Sequence, residues 1–176
     1  MKSTYQTVLA VSTSLALFSA LAIPASADET AAMTLKQQVI GTWTLVSAEN
    51  TKPDGSINQP FGAKPQGSLM MDGNGRFVGL TISGSLPRFV SNNPMTGTDN
   101  ENKAIMRGSA ASFGSYSVNE ADKTLIQHYE GCTFTNWEGT DQTRIIKVIS
   151  ANEFTYTNPA QGQNGGSTTL TYRRSM

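Results

Sequence analysis

His128 and Glu130 stand two residues apart in Thr124–Glu130, a run with strand character, so one strand face would present both side chains. Arg144 belongs to the next such run, Gln142–Ile149. An imidazole, a carboxylate and a guanidinium gathered in a dry place could hold the polar head of a ligand through charge-assisted hydrogen bonds. They could also perform acid–base chemistry, with Glu130 tuning His128 toward neutrality. The same alternation supports a second reading, in which Leu125, Gln127 and Tyr129 point inward. His128 and Glu130 then face solvent or form a structural network. Trp137, in the turn-like stretch Phe134–Gly139, would either cover a ligand at a cavity mouth or pack beneath its own loop.

No set of residues completes a catalytic apparatus. The chain has no G-x-x-x-x-G-K-[ST] phosphate loop, dinucleotide glycine fingerprint, H-E-x-x-H or G-x-S-x-G. No cofactor is implied. One His and one Cys exclude a multi-His or multi-Cys metal site and an intrachain disulfide. The lone thiol, Cys132, reads as a small buried apolar residue.

The elements that must position these groups follow a period of two rather than 3.6. Thr34-Leu35-Lys36-Gln37 is a capping box that opens a short helix, with Leu35, Val39 and Ile40 as its apolar face and Gly41 as its stop. Strands are expected from Trp43, over Gly67–Met71, Arg76–Ser83, Ala111–Val118, Thr124–Glu130, Gln142–Ile149, Glu153–Thr157 and Thr168–Arg173. Asp72-Gly73-Asn74-Gly75 supplies a tight hairpin, and Asn119–Lys123 and Ser150–Asn152 supply two more connections. Asn50–Gln66 and Gly84–Arg107 break the rhythm, the second ending in a helical turn over Asn102–Arg107. About eight strands joined mostly by hairpins predict an all-β, up-and-down antiparallel barrel, with a two-sheet sandwich as the rival. Closure removes exposed edges, and an eight-stranded interior is either filled or holds one small ligand. Leu69, Met71, Leu80, Phe113 and Tyr116 are the strand residues that would line such a pocket.

The chain is 176 residues long, with 13 basic and 13 acidic side chains and 38% hydrophobic residues. That suits one core and disfavours both disorder and nucleic acid as a partner. Lys2, the apolar stretch Val8–Ile23 and Pro24-Ala25-Ser26-Ala27 read as a secretory signal peptide over residues 1–27, cut after Ala27. Residues 28–176 would then be a single exported domain, periplasmic or secreted, and no later stretch is apolar enough for a membrane-spanning helix.

Gly41-Thr42-Trp43 at the start of the first strand resembles the G-x-W motif of lipocalins. An ordered series follows: Pro60-Phe61-Gly62, Gly67–Met71, Asp72–Phe77, Phe113–Val118, His128–Gly131, Asn136–Gln142 and Tyr172-Arg173-Arg174. Together they resemble the bacterial and fungal lipocalin-like domain family over nearly all of residues 28–176. The resemblance implies a barrel that binds a small, largely apolar or amphipathic molecule inside. It also implies that an Arg of the last strand lies against Trp43. Strand parity selects Arg174, which shares a face with Leu170 and Tyr172, over Arg173. The expected function is therefore an exported small-molecule binder. A small isomerase or cyclase using His128 and Glu130, and a filled barrel serving as a protein-interaction module, are the alternatives.

Overall fold

Period-two alternation with hairpin turns produces what the sequence predicts, a sheet that curls until its first and last strands meet. The computed structural model describes residues 32–159 and 165–175. The segment read as a signal peptide lies outside the described residues. A short helix α1 (Leu35–Val39) is followed by β1 (Gly41–Thr51), the two-residue β2 (Ile57–Asn58), β3 (Gln66–Met71) and β4 (Arg76–Ile82). Helix α2 (Asp99–Gly108) then precedes β5 (Ser109–Asn119), β6 (Thr124–Cys132), β7 (Asp141–Ile149), β8 (Glu153–Asn158) and β9 (Ser167–Arg174). From β3 to β9 each strand pairs antiparallel with the next, and β1 pairs with both β3 and β9, closing an eight-stranded barrel. The stub β2 adds only two pairs at the far end of β1.

Local chemistry explains the elements. In α1, Thr34 Oγ1 accepts from Gln37 N–H and Gln37 Oε1 accepts from Thr34 N–H, the reciprocal cap. Glu120, from the β5–β6 turn, takes the next two free amides, Leu35 N–H and Lys36 N–H. In the β3–β4 turn, Asp72 Oδ1 accepts from Asn74 N–H and Arg76 N–H, and Gly75 adopts φ +83°.

The expected helical turn over Asn102–Arg107 is a ten-residue helix, because Thr98 and Glu101 form a second capping box. The Glu101 carboxylate also accepts from Val90 N–H at 2.8 Å, tying down the long β4–β5 connection.

Three bulges reset the alternation. At β1, Leu45 pairs with Tyr172 and Ser47 with Thr171, leaving Val46 extra. Ala48, not Ser47, therefore follows Trp43 and Leu45 into the core. Similar shifts leave Glu130 and Lys147 extra in β6 and β7. Gly114 faces the first of these, where a Cβ would run into the His128 carbonyl oxygen.

One end of the barrel is plugged. Trp43 is fully buried, and its indole N–H donates to the Val39 carbonyl at 2.8 Å. The Arg174 guanidinium lies 4.1 Å from the Trp43 ring centroid. Its nitrogens donate to the carbonyls of Ala151, Ile40 and Gln38, so one side chain joins α1, β1, β9 and the β7–β8 turn. Phe154 packs 5.4 Å from Trp43 by ring centroids, and Leu125 and Leu45 complete this dry half.

Replacing Arg174 by Met removes the cation–π contact and the three charge-assisted bonds. It is expected to cost about 2–4 kcal/mol in urea unfolding. For Glu101, hydrogen bonds from the Thr98 and Val90 amides hold the carboxyl below its ordinary pKa. Its stabilising contribution is therefore complete above the unfolded carboxyl value and lost as pH falls through the lowered folded value. The Val90 and Thr98 amide proton shifts should titrate together at a midpoint below the usual carboxyl range. A midpoint at the ordinary value would show that the cap does not form in solution.

Candidate functional site

Opposite the plug, side chains stop filling the barrel. A cavity of about 350 Å³ remains between the strands. Its mouth is formed by Phe61 of the β2–β3 connection, Met106 of α2, and Phe134 and Trp137 of the β6–β7 connection. Leu69 and Leu170 give it apolar walls, and Gly79 leaves room where another residue would project a side chain.

The polar side of the cavity comes from β6 to β9. Leu125, Gln127 and Tyr129 are the inward residues of β6, so the second of the two parities expected for this strand is the one adopted. The reason is desolvation: this choice buries a leucine and a tyrosine and leaves an ionisable imidazole and carboxylate in water. Arg144 pairs across the sheet with Leu125, points inward and is 3% exposed. Its Nη2 donates to Tyr129 Oη at 2.7 Å and its Nη1 to the Thr143 carbonyl at 3.1 Å. Its Nε–H is buried with no partner. Tyr156 Oη and Tyr172 Oη lie 3.2 Å apart. Burial raises the pKa of both phenols, that of Tyr172 strongly, and the Arg144 charge only partly offsets this for Tyr156. Both stay neutral at physiological pH, leaving the Arg144 guanidinium as the charge that lines the cavity. Asn158, at the end of β8, lines the same cavity as Arg144. Among the described residues its Oδ1 is the second buried side-chain polar atom without a partner.

The nine residues singled out as ligand contacts separate into three groups. Leu69, Leu80, Trp137 and Arg144 lie among the residues lining the cavity, although Leu80 sits on the outward parity of β4 and is 41% exposed. Trp137 packs edge-on against Tyr129 and Phe134, bracing the mouth. Met71 and Tyr116 are buried away from the cavity lining, near the plugged end. There the Tyr116 hydroxyl donates to the Asp72 carbonyl at 2.6 Å.

The third group is corrected. His128, Glu130 and Phe113 are on the outer surface. His128 Nδ1 lies 2.8 Å from Asp141 Oδ1 and its side chain is 46% exposed. Glu130 sits at the bulge and is held by both terminal nitrogens of Arg76, whose hydrogen bonds keep its carboxyl below the ordinary pKa and hence ionised. Phe113 is 49% exposed because it pairs with Val78 and Gly131 on the outward face, its ring lying where a Gly131 Cβ would go. Arg144 therefore meets Tyr129, not His128 and Glu130.

Sequence reasoning passed over Tyr156, Tyr172 and Asn158 as site residues. The signal was present in the alternation of Phe154 and Tyr156 and of Thr168, Leu170 and Tyr172 on strands already assigned, whereas Asn158 lies one residue beyond the expected strand Glu153–Thr157 and ends β8. Among the described residues no group of three or more His, Cys, Asp or Glu could hold a metal ion.

A buried guanidinium without a carboxylate partner costs the fold energy that it does not recover within the chain. Arg144→Met is expected to raise stability by about 1–3 kcal/mol in thermal or urea unfolding. A variant less stable than the parent would show that the Tyr129 and Thr143 bonds outweigh the desolvation.

Among solved structures the chain is similar to a redesigned beta barrel. The two are 14% identical, the match covers 80% of this chain and 95% of that one, and the TM-score is 0.40. It is also similar to EF1p2_mFAP2b bound to DFHBI, at 15% identity, 79% and 95% coverage and a TM-score of 0.39. No curated protein matches. The family profile of the lipocalin-like domain matches residues 40–175, from the end of α1 through β9, and so spans the plug, every barrel strand and the cavity. The chain belongs to the lipocalin-like domain family.

Proposed function

We propose that the protein binds a small apolar or amphipathic molecule inside its barrel and carries it in the compartment to which it is exported. The cavity of about 350 Å³ carries this reading. Its size falls in the range of small-ligand sites, and its walls combine apolar side chains with a few convergent polar groups. A filled barrel acting through its outer surface alone would have no reason to keep such a space. The enzyme reading loses its two named residues, since His128 and Glu130 stand outside the cavity, His128 beside Asp141 and Glu130 paired with Arg76. Family membership supports ligand binding in general terms. Export rests on the amino-terminal pattern of Lys2, Val8–Ile23 and Pro24–Ala27. Among the described residues no helix is long and apolar enough to cross a membrane.

The neutral fluorophore 1-aminoanthracene tests the pocket. Its emission is expected to rise and saturate at one equivalent. Gly79→Leu, which extends a side chain into the space, is expected to weaken binding about tenfold or more, as overpacking costs of 1–3 kcal/mol imply. Emission that never saturates, or affinity unchanged in Gly79→Leu, would refute the proposal.

A further inference from the structure

The cavity lining carries one formal positive charge, and nothing among the described residues neutralises it. Among the described residues Arg144 forms no ion pair, and the acidic groups of Glu130 and Asp141 lie on the outer surface beside Arg76 and His128. A guanidinium stays cationic when it is buried. Burying such a group is costly unless a counter-charge arrives. The fold nevertheless holds Arg144 in place from two directions, through the Tyr129 hydroxyl and the Thr143 carbonyl.

We propose that the ligand is an amphipathic carboxylic acid whose carboxylate pairs with Arg144 at the polar side of the cavity, its apolar chain running toward the mouth. This assignment rests on the pocket reading above and names the class of molecule that the pocket takes.

The hydrogen-bond inventory specifies the head group. Nε and Nη2 form one edge of the guanidinium fork. Nε–H is unpartnered, and Nη2 has a second hydrogen beyond the one given to Tyr129. That edge matches the two oxygens of a carboxylate. Because Tyr129 Oη accepts from Arg144, its own hydrogen is left to donate. The Tyr156–Tyr172 bond consumes one of two phenolic hydrogens and leaves the other. Asn158 Oδ1 is an unpartnered acceptor on the same side. The donors thus outnumber the acceptors around a single cationic fork, the complement of an anion. The apolar residues Leu69, Leu170, Phe61 and Trp137 offer a chain, and no second charge, to the remainder of the ligand.

Displacement of bound 1-aminoanthracene by decanoate and by decan-1-ol at neutral pH separates head from tail. On the unaltered protein, decanoate is expected to displace the fluorophore about ten to a hundred times more effectively than the alcohol, the range for hydrogen bonds to charged groups. Arg144→Met is expected to lose the preference, acid and alcohol displacing the fluorophore equally once each is referred to the variant's own affinity for the fluorophore. Arg144→Lys, which keeps the charge but not the fork, should fall between. Equal displacement by acid and alcohol, or a preference that survives in Arg144→Met, would overturn the carboxylate assignment while leaving the pocket intact. Failure of the fluorophore itself to bind would remove the pocket and this assignment with it.

Discussion

Closure of β1 onto β9 is the constraint from which the rest follows. Until those strands pair, the sheet has two open edges and no inside, and inward parity has no meaning for any residue. The pairing runs from Trp43–Arg174 to Thr51–Ser167, and Arg174 locks one end by binding three carbonyls, two at the end of α1 and one in the β7–β8 turn, while covering the Trp43 indole. The structural device of the fold and the proposed ligand site thus rest on different arginines of the same interior. Arg174 is satisfied by four partners and stabilises; Arg144 is left short of a partner and does not.

This division shows in how the interior is filled. Toward the plug, Trp43, Leu45, Leu125 and Phe154 pack as an ordinary core. Toward the mouth, the same strands contribute Gln127, Tyr129, Arg144, Tyr156 and Tyr172 around open space. Residues chosen for stability alone would have been apolar and larger here. The polar half costs stability. The bulge at Glu130 returns Cys132 to the inward parity beside the cavity, and its outward partner Arg76 holds the exposed carboxylate in place.

Much of this was legible in the residues. Alternation and turn chemistry located the barrel strands within a residue or two, the capping box located α1, and parity singled out Arg174 as the partner of Trp43. The errors have separate physical origins. A two-residue period says which side chains travel together and not which set goes inside, so His128 and Glu130 moved outward together when Leu125 and Tyr129 took the core. Bulges are nearly silent in sequence, and the one after Leu45 exchanged Ser47 for Ala48. Phe113 was misplaced because an aromatic on a strand suggests a core, whereas here its ring shields a glycine on the opposite, outward face. The tyrosines of β8 and β9 went unnoticed as a site because no motif marks them; only the closed sheet brings them against Arg144.

Native mass spectrometry of the protein purified from its own compartment, beside the Gly79→Leu variant, addresses the central claim most directly. The account predicts a species heavier than the polypeptide by one small molecule, which the variant lacks. The bare polypeptide mass alone from the unaltered protein, or an adduct equally abundant in Gly79→Leu, would contradict it.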